Sequence, residues 1–306
     1  MALDTRVRIG EIELPNPIVA ASGTFGHADE LARLCDPRAL GAVTAKSQAV
    51  FPWDGNPPPR LHPTAAGMLN SVGLQGPGID RWLADDLPRL RAAGARVIAS
   101  IWGRSVDDFA RAAERLRAAD VVAVEVNLSC PNVEHHSGIF AHDLHAAGQV
   151  IAAVVATGVT VPVLAKLSPN ATDIAAIAGA VLEAGARGCT VVNTVLGLAI
   201  DAGTRRAVLG HGTGGLSGPA IKPIALRAVA EVARAFPGAP IVGTGGVSTG
   251  EDAVEMLLAG ATAVGVGTAT FAEPRATLRI LAELEQWCTS RDVERVTELT
   301  AALEPS

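Results

Sequence analysis

The stretch from Pro240 to Ala269, PIVGTGGVSTGEDAVEMLLAGATAVGVGTA, alternates strand-like and helix-like segments. Two short apolar runs, Pro240–Thr244 and Ala261–Val266, flank a helical pattern over Gly250–Ala259. Strand, helix and strand in that order form the repeat of a parallel α/β fold. Glycines close both runs: Gly243, Gly245 and Gly246 at the first, then Gly265 and Gly267 with Thr268 at the second. Backbone N–H groups bare of side chains can approach a phosphate, and the helix amino terminus beside them favours its charge. Barrels bind phosphate at this corner, although glycines also serve tight turns. The phosphate could belong to a phosphorylated substrate, a flavin mononucleotide or a pyridoxal phosphate.

Working outward, six earlier runs read as strands: Pro17–Ala21, Ala42–Lys46, Arg96–Ile101, Val121–Asn127, Val161–Lys166 and Thr190–Thr194. An opening ribbon, Val7 to Leu14, precedes them, and helical patterns cover Val106–Ala119, Asp173–Ala184 and Ile221–Phe236. Eight such units predict an α/β fold of the (β/α)8 TIM-barrel type with an amino-terminal β-ribbon. A doubly wound sheet would carry a Gly-x-Gly-x-x-Gly turn after the first strand, which is missing here. With no linker in sight, residues 1–306 are expected to form one domain. Long segments follow the second strand (Ser47 to about Asp80), the fourth (Leu128 to Asp143) and the sixth (Val195 to Gly218). They lie at the carboxyl ends of strands, where barrels build active sites, and their Gly, Pro, Asn and Ser content suits ligand-binding loops.

Composition narrows the chemistry. Mean hydropathy is +0.31, yet no apolar run approaches the ~20 residues of a membrane span. The start, MALDTRVRIG, lacks the regions of a secretory signal, so a soluble cytoplasmic protein is expected. A net charge of −6 gives no basic field for nucleic acid. There is no tyrosine, which excludes a phenolic acid. Of 25 basic residues, the lysines are Lys46, Lys166 and Lys222. Such scarcity suggests that a lysine persists where a compact ammonium is needed. Lys46 (AVTAKS) and Lys166 (VLAKLS) each end a strand, pointing to the barrel mouth. Either could be a Schiff-base nucleophile or a fixed charge beside an anion. Lys222 has no assigned role.

Cys35, Cys130, Cys189 and Cys288 show no CxxC, so no disulfide framework, zinc site or iron–sulfur cluster is expected. Cys130, in VEVNLSCPNV, falls on a loop at the active-site face and can act as base or nucleophile. The other three read as packing residues. Asn70, Asn127, Asn132 and Asn193 fall at the same face, and converging amides suit a pyrimidine-like ring. His135, His136, His142 and His145 crowd one loop and the helix after it; a solvent-facing lid explains them better than a metal.

Taken in order, NPIVAASGTFG, GMLNSVGLQGPGID, VEVNLSCPNV, VLAKLSPN, VVNT, TGGLSGPAIKP and IVGTGGV…GVGTA resemble the class I dihydroorotate dehydrogenases across roughly Val7 to Phe271. The ASGTFG start and the GLQ-x-PG loop look like type B, the form that uses NAD. The resemblance implies a flavin enzyme of pyrimidine (UMP) biosynthesis that oxidises (S)-dihydroorotate to orotate. Cys130 would remove the C5 proton while hydride passes from C6 to FMN, one per chain. Ser22, Lys46, Ser100, Asn127, Lys166, Val192, Gly218, Gly245, Gly246, Gly267 and Thr268 would hold the cofactor. Lys46, Asn70, Gly73, Leu74, Asn127, Asn132, Asn193 and Thr194 would surround the substrate.

Three features depart from the family pattern. Ser100 stands where an asparagine usually contacts flavin, bulky Trp102 replaces a small residue, and the lid reads EHHSGIFAHD where a glycine pair is favoured. Type B also implies a homodimer joined to an electron-transfer subunit as a heterotetramer. By that resemblance FAD and a [2Fe-2S] cluster would sit on the partner, with which the cysteines here are consistent. Alternatives are a dihydropyrimidine dehydrogenase-like flavin oxidoreductase, a Schiff-base lyase or aldolase using Lys166 on a phosphorylated substrate, and a non-catalytic barrel that binds a phosphorylated ligand.

Overall fold

The computed structural model describes residues 3–128, 140 and 142–304. Eight parallel strands close into a barrel: β1 (Ile18–Ala20), β2 (Ala42–Thr44), β3 (Val97–Ile101), β4 (Ala123–Asn127), β5 (Val163–Lys166), β6 (Gly188–Val191), β7 (Ile241–Thr244) and β8 (Ala263–Val266). Each pairs with its sequence neighbours, and β8 returns to β1 through Val264 opposite Ile18. This is the expected TIM barrel. All five residues of β3 and of β4 are buried, as parallel strands covered on both faces must be. The ribbon forms too, with Val7 paired to Leu14.

Outside the barrel lie α1 (Leu87–Ala92), α2 (Val106–Arg115), α3 (Leu144–Ala156), α4 (Ile174–Glu183), α5 (Lys222–Ala235), α6 (Gly250–Leu258) and α7 (Ala276–Thr289). Their starts are written into the sequence. Ser105 caps α2 by accepting from the Asp108 amide, and Asp173 caps α4 through the Ala176 amide. Thr249 and Asp252 form a reciprocal capping box on α6. No helix among the described residues is long and apolar enough to cross a membrane.

Three details differ from expectation. Between β1 and β2 the chain forms turns and one 3-10 turn, Pro37–Ala39, instead of an α-helix. The sixth strand spans Gly188–Val191 rather than Thr190–Thr194. Gly188 pairs with Leu164 in the strand, and glycine is needed there because a Cβ would meet the Pro240 carbonyl oxygen. The third difference matters most for the site. The segments after β2 and β6 are not merely loops: Leu61–Thr64, Gly67–Asn70, Gly214–Ser217 and Val195–Gly197 form a four-stranded antiparallel sheet. Leu69 faces Leu216 and Asn70 faces Gly215 across the join, so residues far apart in sequence are fixed on one platform.

Candidate functional site

Residues at the carboxyl ends of the barrel strands and from the four-stranded sheet enclose a cavity of about 650 Å³. One wall is the glycine corner. Gly245 and Gly246, with φ of +130° and +80°, occupy backbone conformations that L side chains rarely adopt. A Cβ on Gly246 would lie 2.6 Å from the Lys222 Cβ, and one on Gly245 2.9 Å from the Ala225 Cβ. The turn is therefore pressed against α5 on one side while its backbone lines the cavity on the other. Gly218, Val192, Gly267 and Thr268 continue this wall, and the Thr268 hydroxyl donates to Ser217 Oγ at 2.8 Å.

Lys222 now has a place. Its Nζ lies 2.6 Å from Asp252 Oδ1 and 2.7 Å from Glu255 Oε2, tying α5 to α6 behind the glycine turn. That role is structural.

The second wall carries cations. Lys46 follows β2 and lies along Gly23, where a Cβ would stand 3.3 Å from its Cδ. Burial, and next the positive charge of Lys46, push His27 below the ordinary imidazole range. Lys166 ends β5, and its side chain is only 8% exposed. Ser22 also lines the cavity, its hydroxyl donating to the Ala45 carbonyl at 2.8 Å.

The third wall is built of amides and a tight loop. Asn193 Nδ2 donates to Asn127 Oδ1 at 3.3 Å, and Asn70 Nδ2 donates to the Gly215 carbonyl at 3.3 Å. Thr194 stands beside them. Gly73 and Leu74 both adopt positive φ, +74° and +61°. A buried leucine in that conformation costs on the order of 1 kcal/mol, and such backbone strain clusters at functional sites.

Sequence reading and structure part at Ser100. It is 2% exposed and does not line the cavity. Its short side chain stays beneath the wall, with the hydroxyl 2.9 Å from Ser47 Oγ and 3.2 Å from Glu125 Oε1. Ser47, which the sequence did not single out, takes the cavity-facing position above it. Glu125 was missed as well. Its signal was available: one acid in the apolar run VVAVEVN, two residues before Asn127 and so on the same strand face. Arg279, from α7, lines the cavity with no forewarning in sequence.

Cys130, Asn132, His135 and His136 lie outside the described residues. His145 is exposed, 2.9 Å from Gln149 Nε2. No cluster of metal-ligating groups occurs among the described residues. Cys35, Cys189 and Cys288 are buried, and burial pushes the Cys189 thiol up to about 12, as packing cysteines require.

The sequence matches the family described as dihydroorotate dehydrogenase over residues 4–287. The dihydroorotate dehydrogenase B (NAD(+)) catalytic subunit of Geobacter sulfurreducens is 46% identical over 302 residues, covering 98% of each chain. The corresponding subunit of Desulforamulus reducens is 45% identical over 303 residues, covering 99% of each. In fold, the chain resembles the DHODH of Eimeria tenella solved with ferulenol, with a TM-score of 0.81 at 23% identity over 98% of this chain and 88% of that one. Identity of this order, sustained from end to end on a barrel of the same fold, leaves one assignment: this chain belongs to the dihydroorotate dehydrogenase family.

Proposed function

We propose that this chain is the catalytic subunit of a type B dihydroorotate dehydrogenase, oxidising (S)-dihydroorotate to orotate in pyrimidine biosynthesis with FMN as its resident cofactor. The observation that carries this is the convergence of a bare glycine corner, two lysines and a group of asparagines on one cavity. The residues fit FMN. Side-chain-free backbone at Gly245 and Gly246 suits a phosphate, whereas a Cβ on either would meet α5. Lys46 and Lys166 put positive charge on the cavity wall, and the cavity's volume falls within the ~300–1,000 Å³ usual for cofactor sites.

FMN bound there supplies the hydride acceptor. Gly218, Gly245, Gly246, Gly267 and Thr268 would grip its phosphate end, with Ser22, Val192, Asn127 and Lys166 along the ring. Lys46, Asn70, Asn127, Asn193 and Thr194 would bind substrate, their amides matching alternating carbonyl and N–H groups on a pyrimidine ring. Gly73 and Leu74 would close over it. By resemblance Cys130 is the base at C5, and Asn132 a further amide at the ring. Ser100 would act through Ser47, since its hydroxyl stops beneath the wall. The ion pair between Lys166 and Glu125 suits a fixed cation better than a Schiff-base nucleophile.

Residues 1–306 would act as one domain, in a homodimer joined by an electron-transfer subunit with FAD and a [2Fe-2S] cluster. The names of the relatives support a partner, each being called a catalytic subunit. The test is spectroscopic. The purified protein should be yellow, and dihydroorotate added without oxygen should bleach the flavin band. A colourless protein, or a flavin that dihydroorotate leaves oxidised, overturns the proposal.

A further inference from the structure

We infer that Glu125 is a positioning residue that anchors both Lys166 and Asn127, acting on the latter through a one-way chain of hydrogen bonds. The inference rests on the flavin and substrate roles proposed above. Glu125 sits on β4 inside the barrel, 3% exposed. Its Oε2 accepts from Thr190 Oγ1 on β6 at 2.9 Å, reaching across β5. Its Oε1 accepts from Ser100 Oγ at 3.2 Å and lies 3.8 Å from Lys166 Nζ. A carboxylate so far from water is tolerated only when paired and hydrogen-bonded. Here three strands supply the partners.

Counting hydrogens fixes the direction of the chain. A serine hydroxyl has one hydrogen to give. The Ser100 hydrogen goes to Glu125, so at the 2.9 Å contact between Ser100 and Ser47 the donor is Ser47; Ser22, whose own hydrogen goes to the Ala45 carbonyl, competes for the Ser47 hydrogen only from 3.4 Å. Ser47 Oγ in turn accepts from Asn127 Nδ2 at 3.2 Å. Asn127 Oδ1 accepts from Asn193 Nδ2 at 3.3 Å. Every link therefore donates toward the carboxylate: Asn193 to Asn127, to Ser47, to Ser100, to Glu125. An acceptor-only group at the end of the line sets which way the Asn127 amide above it faces. The orientation of Asn127 toward a bound ring is thus decided beneath the cavity, whereas Asn193 is fixed in the same sense by the Thr194 amide, which donates to its Oδ1 at 2.8 Å. It also explains what Ser100 does without touching the cavity.

Two variants separate the two arms. Glu125→Gln removes the negative charge beside Lys166, and the added net positive charge favours a reduced, anionic flavin. At a fixed applied potential the reduced-to-oxidised ratio of the bound flavin should rise about tenfold. A merely structural role would lower the melting temperature and leave that ratio unmoved, which would overturn this arm. Ser100→Ala cuts the chain but leaves the pair between Lys166 and Glu125 in place. Orotate binding, followed by its perturbation of the flavin spectrum, should weaken about fivefold, and Ser100→Thr, which keeps the hydroxyl, should restore it. Unchanged orotate affinity in Ser100→Ala overturns the chain. Should Glu125→Gln fail to fold, Glu125→Asp, which draws the carboxylate back from Lys166, reads the first arm by the same rise in the reduced-to-oxidised ratio, an unmoved ratio overturning it. Ser100→Ala with Ser100→Thr then reads the second. A wild-type protein without flavin would instead sink the proposed function, so the two failures are distinguishable.

Discussion

The indole Nε1 of Trp53 donates to the carbonyl oxygen of Gly73 at 2.8 Å. Backbone bonds in both directions between Trp53 and Gly76, each 2.9 Å, clip the same loop to the segment after β2. Trp102 packs edge-on beneath, its ring 6.4 Å from that of Trp53 and 5.5 Å from that of Phe51, while the Arg104 guanidinium caps Trp53 at 4.1 Å. Trp102 therefore packs under Trp53, the residue that holds the Gly73 carbonyl. Trp53→Phe keeps an aromatic ring, though a smaller one, and deletes the donor. A hydrogen bond of about 1 kcal/mol predicts a KM for dihydroorotate raised about fivefold with flavin content unchanged. Steady-state kinetics beside the visible spectrum would check this, and an unaltered KM would show that the clip is idle.

At the glycine corner the expected failure is loss of cofactor. In Gly246→Ala, the new methyl would need space 2.6 Å from the Lys222 Cβ, in a backbone with φ of +80°. Relief requires the turn to lift away from α5, costing about 1–3 kcal/mol and spoiling the backbone wall at the proposed phosphate. The variant should purify with a flavin-to-protein ratio well below that of wild type and regain colour only with excess FMN. Full flavin content after gel filtration would contradict this account of the corner.

Most of the barrel was legible because its signals are local. β-branched runs, glycine turns and the caps at Ser105, Asp173 and Thr249 each lie within a few residues of what they specify. The four-stranded sheet was not legible, because Leu69 meets Leu216 across a long stretch of chain and neither short segment has a convincing period. The same limit applies within the site. Lys46 and Lys166 stood out by scarcity and Asn70, Asn127 and Asn193 by position, and these five do line the cavity. Glu125 did not stand out, since one acid in an apolar run gains meaning only once Thr190 and Ser100 arrive from other strands.

Cys130 is the residue on which the chemistry proposed here turns. A positioned general base contributes about 10²–10⁴-fold to rate. Cys130→Ala should lose activity in that range while keeping the flavin, because Cys130 was assigned to the substrate and not to the cofactor. Rapid-mixing measurement of flavin bleaching by dihydroorotate isolates the step. Bleaching at the wild-type rate near neutral pH would remove Cys130 from the role of base.

Asp252 links the stability of the fold to the cofactor corner. Burial alone would raise its carboxyl, but hydrogen bonds from Lys222 and from Ser248 outweigh that and hold it below the ordinary 3.8. Its oxygens also receive the amides of Ser248 at 2.8 Å and Thr249 at 2.9 Å. For a carboxyl depressed by folding, the stabilisation is present above 3.8 and disappears as pH falls through the lower folded value. Lys222 behaves oppositely: burial would lower it, the bonds to Asp252 and Glu255 raise it, and its contribution fades only as pH climbs past 10.5. Asp252→Asn should thus cost about 1–3 kcal/mol near neutral pH. Denaturant melts of the two proteins should converge as the solution is acidified below the folded value of Asp252. Because Lys222 backs Gly246, the same variant should also release FMN more readily at neutral pH. A gap between wild type and variant that stays constant down to strongly acidic pH would mean that the charge of Asp252 plays no part, and that only its shape supports the turn.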